Sequence, residues 1–97
     1  MDFTDPNLRF SRAKEQLSCE LGGEIALLNL GSKLYFGLTD VAAAIWRELE
    51  TPKSLEAIIA AVAAEYDVEV ELCRKDVLVF LADMRERGLL EVEEAPE

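Results

Sequence analysis

Residues 22–38 constrain the fold of this chain more than any other part of its sequence. They read Gly-Gly-Glu-Ile-Ala-Leu-Leu-Asn-Leu-Gly-Ser-Lys-Leu-Tyr-Phe-Gly-Leu, so that two short apolar stretches flank a Gly-Ser pair. A Gly-Ser pair between apolar stretches predicts a β-hairpin with a tight two-residue turn. Thr39-Asp40 then opens a run of apolar residues at helical spacing. The sequence therefore predicts a small antiparallel sheet that leads directly into helices.

Three strands are predicted for this sheet, over residues 13–20, 24–30 and 33–36. Residues 24–30 carry apolar side chains on both faces, which predicts that both faces of this strand are covered. The third strand ends the sheet, and its unpaired backbone N–H and C=O groups offer a place where another chain can add as a strand. Residues 1–12 are predicted to form an extended or mobile arm.

Three helices are predicted after the sheet. Thr39 is expected to cap the first helix and Ser54 the second, and the third covers residues 71–87. The core stripe of the third helix is predicted to be Cys73, Val77, Phe80, Leu81 and Met84. A short strand over residues 89–92 and an acidic tail over residues 93–97 complete the chain. This order predicts an α+β domain that is winged-helix-like, with a three-stranded antiparallel sheet followed by three helices.

The composition excludes several classes of protein. The 97 residues suffice for one domain, and a hydrophobic fraction of 51% provides a core without help from a metal or a disulfide. The net charge of −10 argues against binding to nucleic acid or to an anionic membrane, because both attract Lys and Arg. The charge favours a basic or neutral partner. No apolar run approaches the roughly 20 residues of a membrane span.

Residues that perform catalysis or bind metals are scarce. The chain has no histidine, which removes the commonest general base and metal ligand. Cys19 and Cys73 lack a second cysteine at ligand spacing, so we predict free, buried thiols, no metal and no cofactor. Asp76 and Asp83 share a helix face, but no nucleophile or phosphate loop accompanies them. The sequence thus predicts a protein that is not an enzyme. The free thiols and the lack of a signal-like N-terminus indicate the cytoplasm.

The third helix carries apolar residues outside its core stripe. Leu78 lies on one flank, and Leu72 and Val79 lie on the other. Three cations border the same surface: Arg74, Lys75 and Arg85. They suit acidic groups of a peptide. The apolar residues are either ordinary exposed side chains or one side of a groove between this helix and the third strand, and the sequence leaves both alternatives open.

Two other functions fit the predicted fold. A winged-helix domain suggests DNA binding, but residues 69–88 hold four basic and five acidic side chains, so the helix that would enter the groove is net negative. Repulsion from the phosphates disfavours this alternative. An adaptor or a homodimer that pairs through the same strand edge remains the other alternative.

Four segments of the sequence together resemble a known family. They are Leu27-Leu-Asn-Leu-Gly-Ser-Lys-Leu-Tyr-Phe-Gly-Leu-Thr39, Ala43-Ala-Ile-Trp46, Tyr66-Asp67-Val68, and Asp76-Val77 through Phe80-Leu81 to Gly88-Leu-Leu90. In this order they resemble the PqqD family, the precursor-peptide recognition elements of ribosomal natural-product (RiPP) pathways. The similarity covers about residues 21–92 of the chain. The Tyr-Phe-Gly-Leu segment looks most like the standalone members from lasso-peptide clusters, with PqqD of pyrroloquinoline quinone synthesis as the alternative.

The resemblance implies a non-catalytic, cytoplasmic peptide chaperone. In such proteins the leader segment of a precursor peptide adds as a strand beside the third strand, in a groove against the third helix. The complex is then presented to a modifying enzyme, which in lasso pathways is a leader peptidase and then a cyclase. The resemblance places the recognition domain at residues 13–92 and implies the following peptide-binding residues: Lys33, Leu34, Tyr35, Phe36, Arg74, Lys75, Asp76, Leu78 and Val79. It leaves open which flank of the helix faces the peptide.

Overall fold

The computed structural model describes residues 2–95 and contains two antiparallel sheets and three helices. The larger sheet has the order β2-β3-β4, with β2 at Gln16–Leu21, β3 at Glu24–Asn29 and β4 at Tyr35–Leu38. The helices follow as α1 (Asp40–Glu48), α2 (Leu55–Tyr66) and α3 (Val70–Glu86). The smaller sheet pairs β1 (Leu8–Arg12) with β5 (Leu90–Glu94). The predicted α+β class, a three-stranded antiparallel sheet followed by three helices, is confirmed.

The central strand β3 sets the two faces of the larger sheet. Ile25, Leu27 and Asn29 alternate along it and are buried against the helices. Ala26 and Leu28 lie on the opposite face and are only half-buried. The prediction that both faces of this strand are covered is therefore correct for one face and wrong for the other. The alternating burial along β3 shows that only one side of the sheet is covered by the helices.

The helix boundaries follow local chemistry. The Ser54 hydroxyl accepts a hydrogen bond from the Ala57 N–H at 3.2 Å and caps α2, as predicted. Thr39 occupies the N-cap position of α1, but its side chain makes no capping hydrogen bond. Gly88 follows α3 with a φ of 73°, a left-handed conformation that glycine adopts without strain. All five predicted core residues of α3 are buried, and Trp46 of α1 is fully buried.

The N-terminal segment is not the mobile arm that we expected. Residues of β1 pair with β5, and Leu8 and Phe10 are buried in the core. The Phe10 N–H also donates to the Lys53 carbonyl at 2.8 Å, and the Lys53 N–H donates back at 3.0 Å. The partner strand lies about 80 residues further along the chain, so no local sequence pattern predicts this pairing. The domain therefore begins before residue 13.

The C-terminal acidic tail is also shorter than expected. Glu93 and Glu94 belong to β5 and pair with Arg9 and Leu8 of β1. Pro96 and Glu97 lie outside the described residues.

The loop before β4 differs from the predicted two-residue turn. The Asn29 carbonyl accepts from the Lys33 N–H at 2.8 Å, and the Leu34 carbonyl accepts from the Asn29 N–H at 2.9 Å. Lys33 adopts a positive φ of 65° within this longer loop. The third strand of the sheet consequently begins two residues later than predicted, at Tyr35, and extends to Leu38.

The two cysteines differ in environment. Both thiols are free, as predicted, but only Cys73 is buried, whereas Cys19 is exposed on β2. Within residues 2–95, no helix combines the length and the apolar character that crossing a bilayer requires.

Replacement of Phe10 by alanine tests the role of β1. The side chain is fully buried, so we expect Phe10→Ala to lower the free energy of unfolding by about 3–5 kcal/mol in urea titrations. Leu17→Ala is the matched control on an exposed strand position, and we expect a change of about 0.5 kcal/mol or less. Equal effects of the two substitutions would contradict the placement of β1 in the core.

Candidate functional site

Strand β4 forms one edge of the larger sheet. It pairs with β3 on one side, and no strand in the described part of the chain pairs with its other side. The hydrogen bond from the Asn29 N–H to the Leu34 carbonyl sets the alternation of the ladder. Phe36 and Leu38 therefore direct their backbone groups toward β3, while Tyr35 and Gly37 direct theirs outward. The edge thus offers free N–H and C=O groups to an incoming strand.

The side chains of β4 alternate between two environments. Phe36 and Leu38 pair with Leu27 and Ile25 of β3 and face the helices. The Arg87 guanidinium lies over the Phe36 ring, 4.5 Å from its centroid, and joins the end of α3 to the strand. Tyr35 points to the opposite face and is 70% exposed. A strand added to this edge would alternate in the same way.

A groove of about 500 Å³ opens between α1 and α3. Its lining residues are Val41, Ala42, Ile45, Asp76, Val79, Phe80 and Asp83. Val41 and Ala42 lie in the first turn of α1, directly after β4, so the groove begins where the strand ends. Val79 is 71% exposed, although it is a large apolar residue on a helix that packs on the core. The groove therefore has apolar sides and begins next to the end of the edge strand.

The groove carries negative charge. Asp83 accepts a hydrogen bond from Arg87 Nε at 2.8 Å. No Lys or Arg among residues 2–95 forms an ion pair with Asp76. Burial, and to a smaller extent the charge of Asp76, raises the pKa of the Cys73 thiol. No cluster of three or more His, Cys, Asp or Glu side chains arranged for a metal ion occurs among the described residues.

The predicted peptide-binding residues fall in different places. Asp76 and Val79 line the groove. Leu78 lies on the opposite flank of α3, in a cavity beside Phe3. Lys75 is exposed.

Arg74 is also placed away from the groove, because it is held against α2. Its guanidinium donates two hydrogen bonds to the Glu56 carboxylate, at 2.7 and 3.1 Å, and approaches Glu71 to 3.6 Å. The hydrogen bond to Glu56 raises the pKa of Arg74 and lowers that of Glu56.

The predicted strand residues are placed together at the edge, with one difference. Tyr35 and Phe36 lie in β4, whereas Lys33 and Leu34 are exposed in the loop that precedes it. Gly37, whose backbone groups face outward, was missed because glycine ends the predicted strand. The space beside Gly37 is open, since a Cβ at this position would meet nothing within 4 Å.

Sequence reasoning also missed the contribution of α1. Val41, Ala42 and Ile45 follow the helical spacing of core residues, and the sequence offers no sign that part of this stripe borders a groove. Arg87 follows the last residue of α3, and its contact with Phe36 joins segments that are far apart in the chain. In the folded domain Val41 and Ala42 are half-buried and line the groove.

Asn29 holds the edge strand in place and was not predicted to have a role. Among residues 2–95, Asn29 is the one polar residue whose side chain is buried. Its Nδ2 donates to the Arg87 carbonyl at 2.7 Å, and its Oδ1 accepts from the N–H groups of Gly31 at 2.9 Å and Ser32 at 3.3 Å. One side chain thus links the end of α3 to the loop that starts β4.

Comparison with known proteins decides the family. The family model described as "Coenzyme PQQ synthesis protein D (PqqD)" matches residues 24–90, more than half of the chain. The chain belongs to the PqqD family. The resemblance inferred from the sequence is therefore confirmed.

Three solved structures share the PqqD fold. "TbiB1 in Complex with the TbiA(beta) Leader Peptide" is 34% identical, with a TM-score of 0.78, over 84% of this chain and 94% of that chain. "Lasso peptide synthetase B1 complexed with the leader peptide" is 24% identical, with a TM-score of 0.74, over 84% and 96% of the two chains.

The third structure is the PqqD truncation of PqqCD from Methylobacterium extorquens, described as a stand-alone RiPP recognition element. It is 19% identical, with a TM-score of 0.70, over 86% of this chain and 88% of that chain. The second and third structures support the fold alone. Comparison with curated proteins returns no match.

Loss of the Asn29 amide should weaken the whole domain. Asn29→Ala leaves the Arg87 carbonyl and the Gly31 N–H without a partner, so we expect the free energy of unfolding to fall by about 1–3 kcal/mol. Asn7→Ala, at an exposed position, is the control and should change it by about 0.5 kcal/mol or less. Chemical denaturation measures both values, and equal values would contradict the role of Asn29.

The two aromatic residues of β4 should respond differently to truncation. Phe36 packs on the core and under Arg87, so Phe36→Ala should lower the free energy of unfolding by about 1–2 kcal/mol. Tyr35→Ala should change it by about 0.5 kcal/mol or less, because the side chain is exposed. The reverse order in thermal or chemical unfolding would show that the strand has the opposite register.

Proposed function

We propose that this chain binds the leader segment of a ribosomally made precursor peptide by β-strand addition at β4. The observation that carries the proposal is the open edge of β4, which lies beside an apolar groove between α1 and α3. The relative TbiB1, at 34% identity, was solved with a leader peptide, which supports a peptide as the ligand here. The bound strand would extend the sheet from three strands to four.

The energetics of strand addition require the groove. Each backbone hydrogen bond contributes about 0.5–1.5 kcal/mol net, whereas fixing each backbone residue of a flexible peptide costs about 1–2 kcal/mol. Hydrogen bonds alone therefore do not offset the ordering of the peptide. Burial of one large apolar side chain contributes about 1.5–3 kcal/mol, and the groove beside Val79 and Ile45 is the place for such an anchor. Affinity then depends on both the edge and the groove.

The proposed residues of the site follow from this geometry. The backbone of Tyr35 and Gly37 hydrogen-bonds the guest strand, and Phe36 supports the edge from beneath. Asp76 and Val79 contact the side chains of the guest that enter the groove. A further group of residues contributes less to this mode: Lys33, Leu34, Arg74, Lys75 and Leu78.

In this proposal the chain performs no chemistry itself and works in the cytoplasm. It presents the captured peptide to a modifying enzyme, which in a lasso-peptide pathway is a leader peptidase and then a cyclase. A role in a lasso pathway is favoured over one in pyrroloquinoline quinone synthesis. The reason is that the Tyr-Phe-Gly-Leu segment looks most like the standalone members from lasso-peptide clusters.

A proline substitution at each edge of the sheet tests the binding mode. Gly37→Pro removes an outward N–H from β4 and places a ring where the guest strand would lie. We expect it to weaken binding of the leader peptide encoded beside this gene at least about tenfold, the equivalent of one lost hydrogen bond plus a clash. Titration by fluorescence anisotropy gives the affinities, with a scrambled leader as the reference.

Ser18→Pro is the matched control for this experiment. Leu30 N–H donates to the Glu15 carbonyl, so the alternation of the β2–β3 ladder directs the Ser18 N–H away from β3 as well. Ser18→Pro should bind the leader as the unmodified chain does. An equal loss of affinity for the leader in Gly37→Pro and Ser18→Pro would overturn the proposed function. It would also be overturned if the unmodified chain bound the scrambled peptide as tightly as the leader. Circular dichroism verifies that both variants fold.

A further inference from the structure

We infer that the guest peptide carries a Lys or Arg on the side that faces the groove, and that Asp76 selects for it. The basic residue lies an even number of positions from the apolar anchor of the guest. This inference rests on the proposed function, because it describes the sequence of the peptide that the β4 edge receives.

The charges of the groove lead to this inference. Two carboxylates line it, and Arg87 already neutralises that of Asp83 through a 2.8 Å hydrogen bond. The same guanidinium lies 4.5 Å from the Phe36 ring, so two contacts hold it in place. The other carboxylate of the groove, that of Asp76, forms no ion pair with any Lys or Arg among residues 2–95.

The neighbouring cations of α3 are directed elsewhere. Arg74 is held by Glu56 and Glu71 on the side of α2. Arg85 lines the cavity on the opposite flank of the helix. Lys75 adjoins Asp76 in sequence, and adjacent helical positions point about 100° apart. Asp76 is exposed, and a cation that pairs with it would therefore come from the ligand.

The geometry of a strand beside a helix sets the spacing. Side chains on one face of a strand recur at every second residue, about 6.4–6.8 Å apart. Asp76 and Val79 are three residues apart on α3, about 4.5 Å along the helix axis. A guest side chain that contacts Val79 therefore has a same-face neighbour close to Asp76. A Lys or Arg at that position of the guest would increase the affinity most.

This conclusion agrees with the basic or neutral partner that the net charge predicted, and it reverses the expectation drawn from the cations of the third helix. Arg74, Lys75 and Arg85 suggested acidic partners on the peptide, but the groove presents Asp76 and lies in a chain of net charge −10. An acidic guest residue on the groove side would approach an unpaired carboxylate and lose affinity. A basic residue is attracted both at long range and at contact.

Selection from a random peptide library tests the inference and requires no assumed ligand sequence. The probe is a displayed library of random 16-residue peptides, selected in parallel on the full chain and on the variants Asp76→Asn, Asp76→Lys and Glu86→Gln. Glu86 is an exposed carboxylate on the opposite flank of α3 and provides the matched control. We expect peptides from the full chain and from Glu86→Gln to share a large apolar residue with Lys or Arg an even number of positions away.

The variants at Asp76 give the decisive comparison. Asp76→Asn should lose the enrichment of Lys and Arg but keep that of the apolar residue, and Asp76→Lys should enrich Asp or Glu at the same spacing. Enrichment of basic residues that persists in Asp76→Asn, or an apolar motif without any basic residue, overturns the inference and leaves the proposed function intact. Selected peptides that bind Gly37→Pro as well as the unmodified chain overturn the proposed function.

A double-mutant cycle then measures the contact. Replacing the basic residue of one selected peptide by glutamine should weaken binding about two- to fivefold, the range of an exposed ion pair. In Asp76→Asn the same change in the peptide should not alter the affinity. In the unmodified chain, high salt should reduce the loss of affinity that the glutamine replacement causes. Equal losses in the chain and in Asp76→Asn overturn the inference.

Discussion

The hydrogen bonds of the Asn29 side chain hold the end of α3 to the loop that leads into the edge strand β4. The amide nitrogen bonds the carbonyl of Arg87, and the amide oxygen bonds the loop that begins β4. Gly88 lies so close that a Cβ there would come within 3.3 Å of this amide. The end of α3 and the start of the edge strand therefore share one buried partner, and a shift of either would leave buried polar groups unpaired.

Arg87 extends this connection to the surface of the domain. Its carbonyl accepts a hydrogen bond from the Asn29 side chain, and its guanidinium lies over the Phe36 ring. Its Nε donates a hydrogen bond to Asp83 in the groove. The strand edge and the helix groove are thus fixed relative to each other before any ligand binds. A preformed site of this kind reduces the ordering cost of binding to that of the peptide alone.

An open strand edge is usually a risk for a soluble domain, because identical chains can pair through it. Here β4 is only four residues long, and the chain carries a net charge of −10, so two copies repel each other. The same charge attracts a basic peptide. The features that disfavour self-association are therefore compatible with the capture of a guest strand.

Much of the fold follows from local patterns in the sequence. The Ser54 cap of α2 and the core stripe of α3 are local features, and each predicted its element correctly. The edge strand was also predicted, with a shift of two residues, because the turn before it depends on hydrogen bonds of Asn29 that no turn pattern specifies. The resemblance to the PqqD family implied Phe36 as a peptide-binding residue, and Phe36 lies in β4.

The sequence by itself determined the order of the three-stranded sheet, the three helices and the short strand that follows them, the core stripe of α3 and the scarcity of catalytic groups, because these depend on residue type and short-range spacing. Only the tertiary structure decided the rest. It pairs β1 with β5 across the length of the chain, turns Arg74 toward α2, and places Asp76 and Val79 beside α1. These features arise from contacts between distant segments, and which flank of a helix faces which neighbour is set by packing rather than by helical periodicity.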